Sequence, residues 1–124
     1  MKVYQEEDST FASNGNVYDL NIIFKLTHDA RVYTKMVSEL QWQLKGKNGS
    51  IAPPDDRVHK ADYSVPILIY FDVDYDKFVV VDGYHRLYKA WMNQERSIKT
   101  KIVTHEIMQK ALINKKDMNL KGIK

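Results

Sequence analysis

The sequence predicts a mixed α/β (α+β) domain in which a small mixed sheet is flanked by helices. Three observations point there. Residues 65–71 (VPILIYF) and Lys77–Asp82 (KFVVVD) are near-continuous apolar runs on either side of an acidic turn, which reads as two strands. The second run passes through Gly83 straight into residues 86–93, where Leu87, Ala90 and Trp91 share one helical stripe. With 124 residues, 44% of them apolar and 28% charged, the chain can build one core and is neither disordered nor collagen-like.

In chain order, residues 1–16 are rich in acids, Ser and Asn and read as a loose lead-in with a short strand at Val3 and Tyr4. Residues 17–26 (VYDLNIIFKL) are β-branched and aromatic and predict a strand. Between residues 30 and 44, Tyr33, Met36, Val37, Leu40 and Leu44 recur at helical spacing and predict an amphipathic helix. Residues 46–56 (GKNGSIAPPDD) are a loop of about a dozen residues, long enough for a lid or binding loop. Residues 57–62 predict a helical turn. Such apolar strands at 65–71 and 77–82 are expected to be covered on both faces or to lie in a sheet centre. Residues 97–103 alternate Ile98, Thr100 and Ile102 with Lys99, Lys101 and Val103, the pattern of an outer strand. Ile107, Met108, Ala111 and Leu112 mark a last helix. The expected organisation is therefore a lead-in to residue 16, one domain over 17–113 and a basic tail over 114–124.

Composition removes several function classes. The chain has no cysteine, so disulfides, thiolate zinc sites and cysteine nucleophiles are excluded. No run approaches the ~20 apolar residues of a membrane helix, and the first residues lack the apolar core of a secretory signal. A cytoplasmic protein without a membrane partner is expected. The net charge of +3 is uneven: from Lys99 onward, seven lysines face only Glu106 and Asp117. A basic end of this kind grips nucleic-acid phosphates or is a solvated helix face. Arg31, Arg57, Arg86 and Arg96 are few for a dedicated base reader.

The segment that carries chemistry is 78–91 (FVVVDGYHRLYKAW). Gly83 allows a tight, positive-φ turn, and Asp82 is placed to cap the following helix. The first helical amides then point outward with the positive end of the helix dipole behind them, a ready anion site. Arg86 adds a planar fork for phosphate, and His85 adds a titratable donor or base. Cations at a helix N-terminus are unfavourable by about 0.3–1 kcal/mol unless an anion is near. A bound anion would relieve that; so would a local pairing of Arg86 with Asp82. Tyr84 and Tyr88 share a face there and either stack on a base or pack.

Asp82-Gly83-Tyr84-His85-Arg86, followed by Leu87 and Lys89-Ala90, resembles the signature of the ParB/sulfiredoxin-like superfamily. Pro66-Ile67-Leu68-Ile69 is similar to the Pro-Ile strand that precedes that signature. Ser38-Glu39-Leu40-Gln41-Trp42 and Arg57-Val58-His59-Lys60-Ala61-Asp62 resemble a subgroup of small stand-alone ParB-like domains. The likeness spans residues 17–104. It implies phosphate contact where the strand meets the helix, at Gly83, His85 and Arg86; Tyr84 and Lys89 beside them are further candidates for binding the ligand. It further implies ATP or CTP with Mg²⁺ as cofactor, and NTP hydrolysis or phosphoryl transfer as the reaction. Where sulfiredoxins carry their catalytic cysteine this chain has Tyr84, so sulfinic acid repair is excluded. Chromosome partitioning is not expected, because the chain has no room for the helix-turn-helix and dimerisation domains.

Around this core, Arg57, Lys60 and Asp62 follow the long loop and either close over a ligand or form a surface turn. His85, Asp82 and Glu39 are the candidate acid-base residues. Asp72, Asp74 and Asp76 open like a calcium loop, but Lys77 and Gly83 stand where its glycine and glutamate belong. The four histidines lack ligand spacing. The leading expectation is a protein that binds a nucleotide or phosphorylated small molecule. The alternatives are a DNA- or RNA-binding module or nuclease using the basic C-terminal region, and a non-catalytic accessory protein.

Overall fold

The computed structural model describes residues 10–44 and 56–113 of a mixed α/β fold. The chain divides into two compact units, Met1–Asp29 with Thr104–Lys124, and Ala30–Val103. The basic tail at 114–124, the loop at 46–55 and the strand expected at Val3 and Tyr4 lie outside the described residues.

In the first unit, β1 (Thr10–Ser13) and β2 (Asn16–Asp19) form an antiparallel hairpin, and β2 also pairs with β7 (Leu112–Ile113). Residues 10–13 are thus a strand, not loose lead-in. The hairpin turns at Asn14 and Gly15, both at positive φ, as a two-residue turn with matching twist requires. The strand expected over 17–26 stops at Asp19. There the carboxylate accepts from the Asn21 amide at 2.9 Å and starts α1 (Leu20–Thr27). Leu20, Ile23 and Thr27 are buried at helical spacing, so one-sided burial overrides the β preference of the run. α5 (His105–Ala111) is capped by Thr104, whose hydroxyl accepts from the Ile107 amide.

The second unit holds a four-stranded sheet in the order β3-β6-β4-β5, built from β3 (Val32–Met36), β4 (Ile67–Asp72), β5 (Lys77–Asp82) and β6 (Ser97–Ile102). β4 runs parallel to β6 and antiparallel to β5. The helix expected over 30–44 begins only at Val37. Val32 to Met36 pair with β6 instead, and α2 (Val37–Leu40) and a 3-10 turn (Gln41–Leu44) follow. Val37, Leu40 and Leu44 keep the apolar stripe, whereas Tyr33 and Met36 are exposed. The Val-Tyr-Thr run and an open place beside β6 decide for strand.

β6 is not an outer strand: it lies between β3 and β4. Its alternation survives, with Ile98 and Thr100 buried and Ser97 and Lys99 exposed. β5, expected at the sheet centre or covered on both faces, is an edge. α3 (Asp56–Lys60) matches the helical turn expected at 57–62, and α4 (Tyr84–Met92) is the helix expected after Gly83. Leu87, Tyr88 and Ala90 of α4 join Ile67 and Ile69 of β4 and Leu40 of α2 in one core, which holds the start of α4 fixed against the sheet. Among the described residues, no helix is long and apolar enough to cross a membrane.

Candidate functional site

The strand-to-helix junction takes its shape from Gly83. Its φ of 111° lies in the left-handed region, and it caps α4 with no side chain to accept from the first-turn amides. The helix closes by its first main-chain bond, from the Leu87 amide to the Gly83 carbonyl at 3.0 Å. The amides of residues 84–86 precede that bond, at the positive end of the helix dipole.

Asp82 does not cap the helix. The cap residue is Gly83, one position later, and the Asp82 carboxylate instead lies 3.7 Å from Nη2 of Arg86. Arg86 is therefore held from two sides. Its Nη1 donates to the Pro66 carbonyl at 2.9 Å, at the entrance to β4, while among the described residues Nη2 makes only that long ion pair. Both side chains are about one-third exposed or less, 27% for Arg86 and 32% for Asp82. The local pairing open at the level of sequence is present, and the short bond, to Pro66, is the stronger anchor.

Tyr84 packs edge-on against the rings of His85 and Tyr88, and its hydroxyl lies 3.5 Å from the Leu44 carbonyl. Burial, and secondarily Tyr88, pushes the Tyr84 phenol above its ordinary range. Tyr88 is buried in the core, and Tyr84 packs against that core while keeping part of its surface exposed. His85 is half-buried at the second helical position.

Lys89 serves the fold. Its ammonium donates to the carbonyls of His59 and Ala61 at 2.8 and 2.9 Å, satisfying the C-terminal end of α3. Asp62 accepts from the Ser64 hydroxyl at 2.6 Å and the Ser64 amide at 3.0 Å. These bonds, in that order, lower the Asp62 carboxyl from its ordinary 3.8, with smaller help from the charges of Lys89 and Arg86. Asp62, Lys89 and Arg86 thus share one electrostatic neighbourhood. Arg57 and Lys60 are exposed on α3.

Glu39 stands elsewhere. With Ser38, Trp42, Phe71, Asp76, Lys77 and Phe78 it lines a cleft of about 350 Å³ at the start of β5. From Phe78 to Gly83 is five strand steps, or about 16 Å. Glu39 is too far to act as a base at the turn.

Sequence reasoning did not single out Pro66 as the partner of Arg86, nor Tyr63. The Tyr63 hydroxyl donates to Glu95 at 2.8 Å and accepts from the Asn93 side-chain Nδ2 at 3.2 Å, tying the segment before β4 to the far end of α4. A carbonyl acceptor leaves no trace in residue type, so the Pro66 contact had no signal to find, and the Tyr63 contacts join residues 30 or more apart in sequence. No family model matches the chain, and no curated protein or solved structure matches it either.

Proposed function

We propose that this chain binds a nucleotide or another phosphorylated small molecule, with a phosphate seated on the 83–86 turn. The observation that carries the proposal is the state of Arg86. One guanidinium nitrogen is fixed on Pro66, which orients the fork, and the other is held only by a carboxylate 3.7 Å away. A phosphate oxygen arriving at the amides of the first turn would replace Asp82 on Nη2 with a shorter charge-assisted bond. Little reorganisation would be needed, because Gly83 and the Pro66 contact already fix the geometry. His85 would donate to the phosphate or move a proton, and Tyr84 would flank the bound group.

Binding is better supported than turnover. Glu39 is out of reach, and His85 is the remaining acid-base candidate beside Asp82. Asp82 is also the only carboxylate on the turn, and among the described residues no three acidic or histidine side chains converge. Among the described residues, then, no cluster of side chains offers Mg²⁺ a site. For the nucleic-acid alternative, Lys99 and Lys101 lie on β6 and Lys110 on α5, while Lys115, Lys116, Lys121 and Lys124 lie outside the described residues.

The test is a thermal-shift series with ATP, CTP, GTP, their diphosphates and pyrophosphate on wild type, Arg86→Ala and Arg86→Lys. Each protein is compared with its own ligand-free midpoint, because losing the Pro66 bond lowers stability by itself. A ligand near 100 times its Kd should stabilise the wild type by about 2.7 kcal/mol, and Arg86→Ala should abolish this. Arg86→Lys should retain only part of it, since an ammonium lacks the fork. Equal ligand shifts in all three proteins would overturn the proposal.

A further inference from the structure

The two edges of the four-stranded sheet are treated differently. At the β5 edge, the Gln43 carboxamide acts like a neighbouring strand. Its Oε1 accepts from the Val80 amide at 2.6 Å, and its Nε2 donates to the Phe78 carbonyl at 3.2 Å. A register shift between Leu68 and Ile69 interrupts the same ladder. Both devices keep a sheet edge from recruiting another strand.

At the opposite edge, β3 pairs with β6 alone, and among the described residues no side chain closes its outer side. β3 is exposed on both faces: Val32, Tyr33 and Met36 retain 47, 44 and 48% of their surface. A lysine often guards such an edge. Here Lys35 is diverted, its ammonium 4.4 Å from the centre of the Phe78 ring.

We propose that β3 is a docking edge for an extended acidic segment of a partner protein, which joins the sheet as a fifth strand. Main-chain bonds to an open edge supply affinity in this mode, and alternate side chains supply specificity. Charge selects the occupant. Residues 31–36 and 97–102 hold no acid, and Arg31 and Lys99 stand among them as cations. Lys99 stands opposite Thr34, one strand in from the edge. A second copy of this chain would set these cations against their like, whereas an acidic strand neutralises them. A cleft of about 260 Å³ lined by Thr34, Tyr63, Ser64, Ser97, Ile98 and Lys99 lies beside β3 and can receive a guest side chain. Gly83 follows β5, at the other edge of the sheet, so failure of either proposal leaves the other standing.

The test uses the full chain and two labelled ten-residue synthetic peptides, one alternating Glu and Val and the other Lys and Val. The acidic peptide should bind about tenfold tighter or more by fluorescence anisotropy. Its binding should slow hydrogen exchange at residues 32–36, and Lys99→Glu should weaken it by about threefold or more. Absence of binding, equal binding of both peptides, or protection only elsewhere would overturn the proposal. So would β3 amides already protected in the free protein, protection that grows with protein concentration alone, or a single-stranded oligonucleotide binding through Lys99 where the acidic peptide does not.

Discussion

Gly83 and Ile67 meet across the strand-to-helix junction so closely that a Cβ on Gly83 would lie 2.5 Å from Cγ2 of Ile67 and 2.7 Å from its Cβ. Ile67 is fully buried in the core shared with α4 and has nowhere to retreat. The φ of 111° at Gly83 adds a second obstacle, because side-chain-bearing residues rarely adopt it. This contact sets how near the helix start lies to β4, and hence how Arg86 reaches Pro66.

Gly83→Ala should therefore destabilise the protein by about 2–3 kcal/mol, combining overpacking with backbone strain. Urea denaturation would measure it. A smaller side chain at Ile67, as in Ile67→Ala, should relieve the clash but not the strain. The double variant should then be more stable than the sum of the single losses implies. Strict additivity would show that the two residues do not touch.

Removing the Asp82 charge separates a structural ion pair from a ligand site. The pair with Arg86 is long and partly exposed, so Asp82→Asn should change stability by less than about 0.5 kcal/mol. If phosphate takes the place of the carboxylate on Nη2, the variant should bind pyrophosphate about threefold tighter or better. Titration calorimetry would read this. Weaker binding would mean that Asp82 holds the ligand.

Several elements were legible because their signal is local. The apolar runs of β4 and β5, the glycine break and the stripe of α4 needed only neighbouring residues. Elements went wrong where two local signals competed. In 17–26 the β-branched residues suggested a strand, yet Asp19 is a helix cap, and burial of Leu20, Ile23 and Thr27 settles the contest. In 30–44 a helical spacing of apolar residues concealed a strand whose partner, β6, lies more than 60 residues away in sequence. The Asn14-Gly15 turn carries a local signal of its own, set among polar neighbours that resemble a loose lead-in. At the turn, residue types single out Gly83 and Arg86 as candidates. They could not show that the guanidinium answers to a main-chain carbonyl, because every residue carries one.

Asp62 predicts a small acid-side effect. Its folded carboxyl titrates below the ordinary 3.8, chiefly through the Ser64 hydroxyl and then the Ser64 amide. A depressed carboxyl contributes stability that is fully present above the unfolded value and is lost as pH falls through the folded one. The loss should therefore be confined to the acid side of about pH 4. Ser64→Ala should move the Asp62 titration back toward its ordinary value in a carboxyl-resolved NMR series. Lys89→Met should move it less, since that charge is a minor cause. A larger shift from the lysine would invert the assigned order.

Gln43 holds the edge strand leading to the turn through two side-chain bonds, and its role can be separated from packing. Gln43→Ala removes an acceptor from the half-buried Val80 amide and a donor from the Phe78 carbonyl. Groups left unsatisfied in this way cost about 1–3 kcal/mol. Hydrogen exchange at Val80 should accelerate well beyond the change at β4 amides. Gln43→Glu retains an oxygen for Val80 but can no longer donate to Phe78, so Val80 should stay protected while stability still falls. Equal exchange rates at Val80 in the two variants would assign the clamp to the bulk of the side chain. The difference between them instead isolates one main-chain donor, answered from 37 residues away by a carboxamide doing the work of a strand.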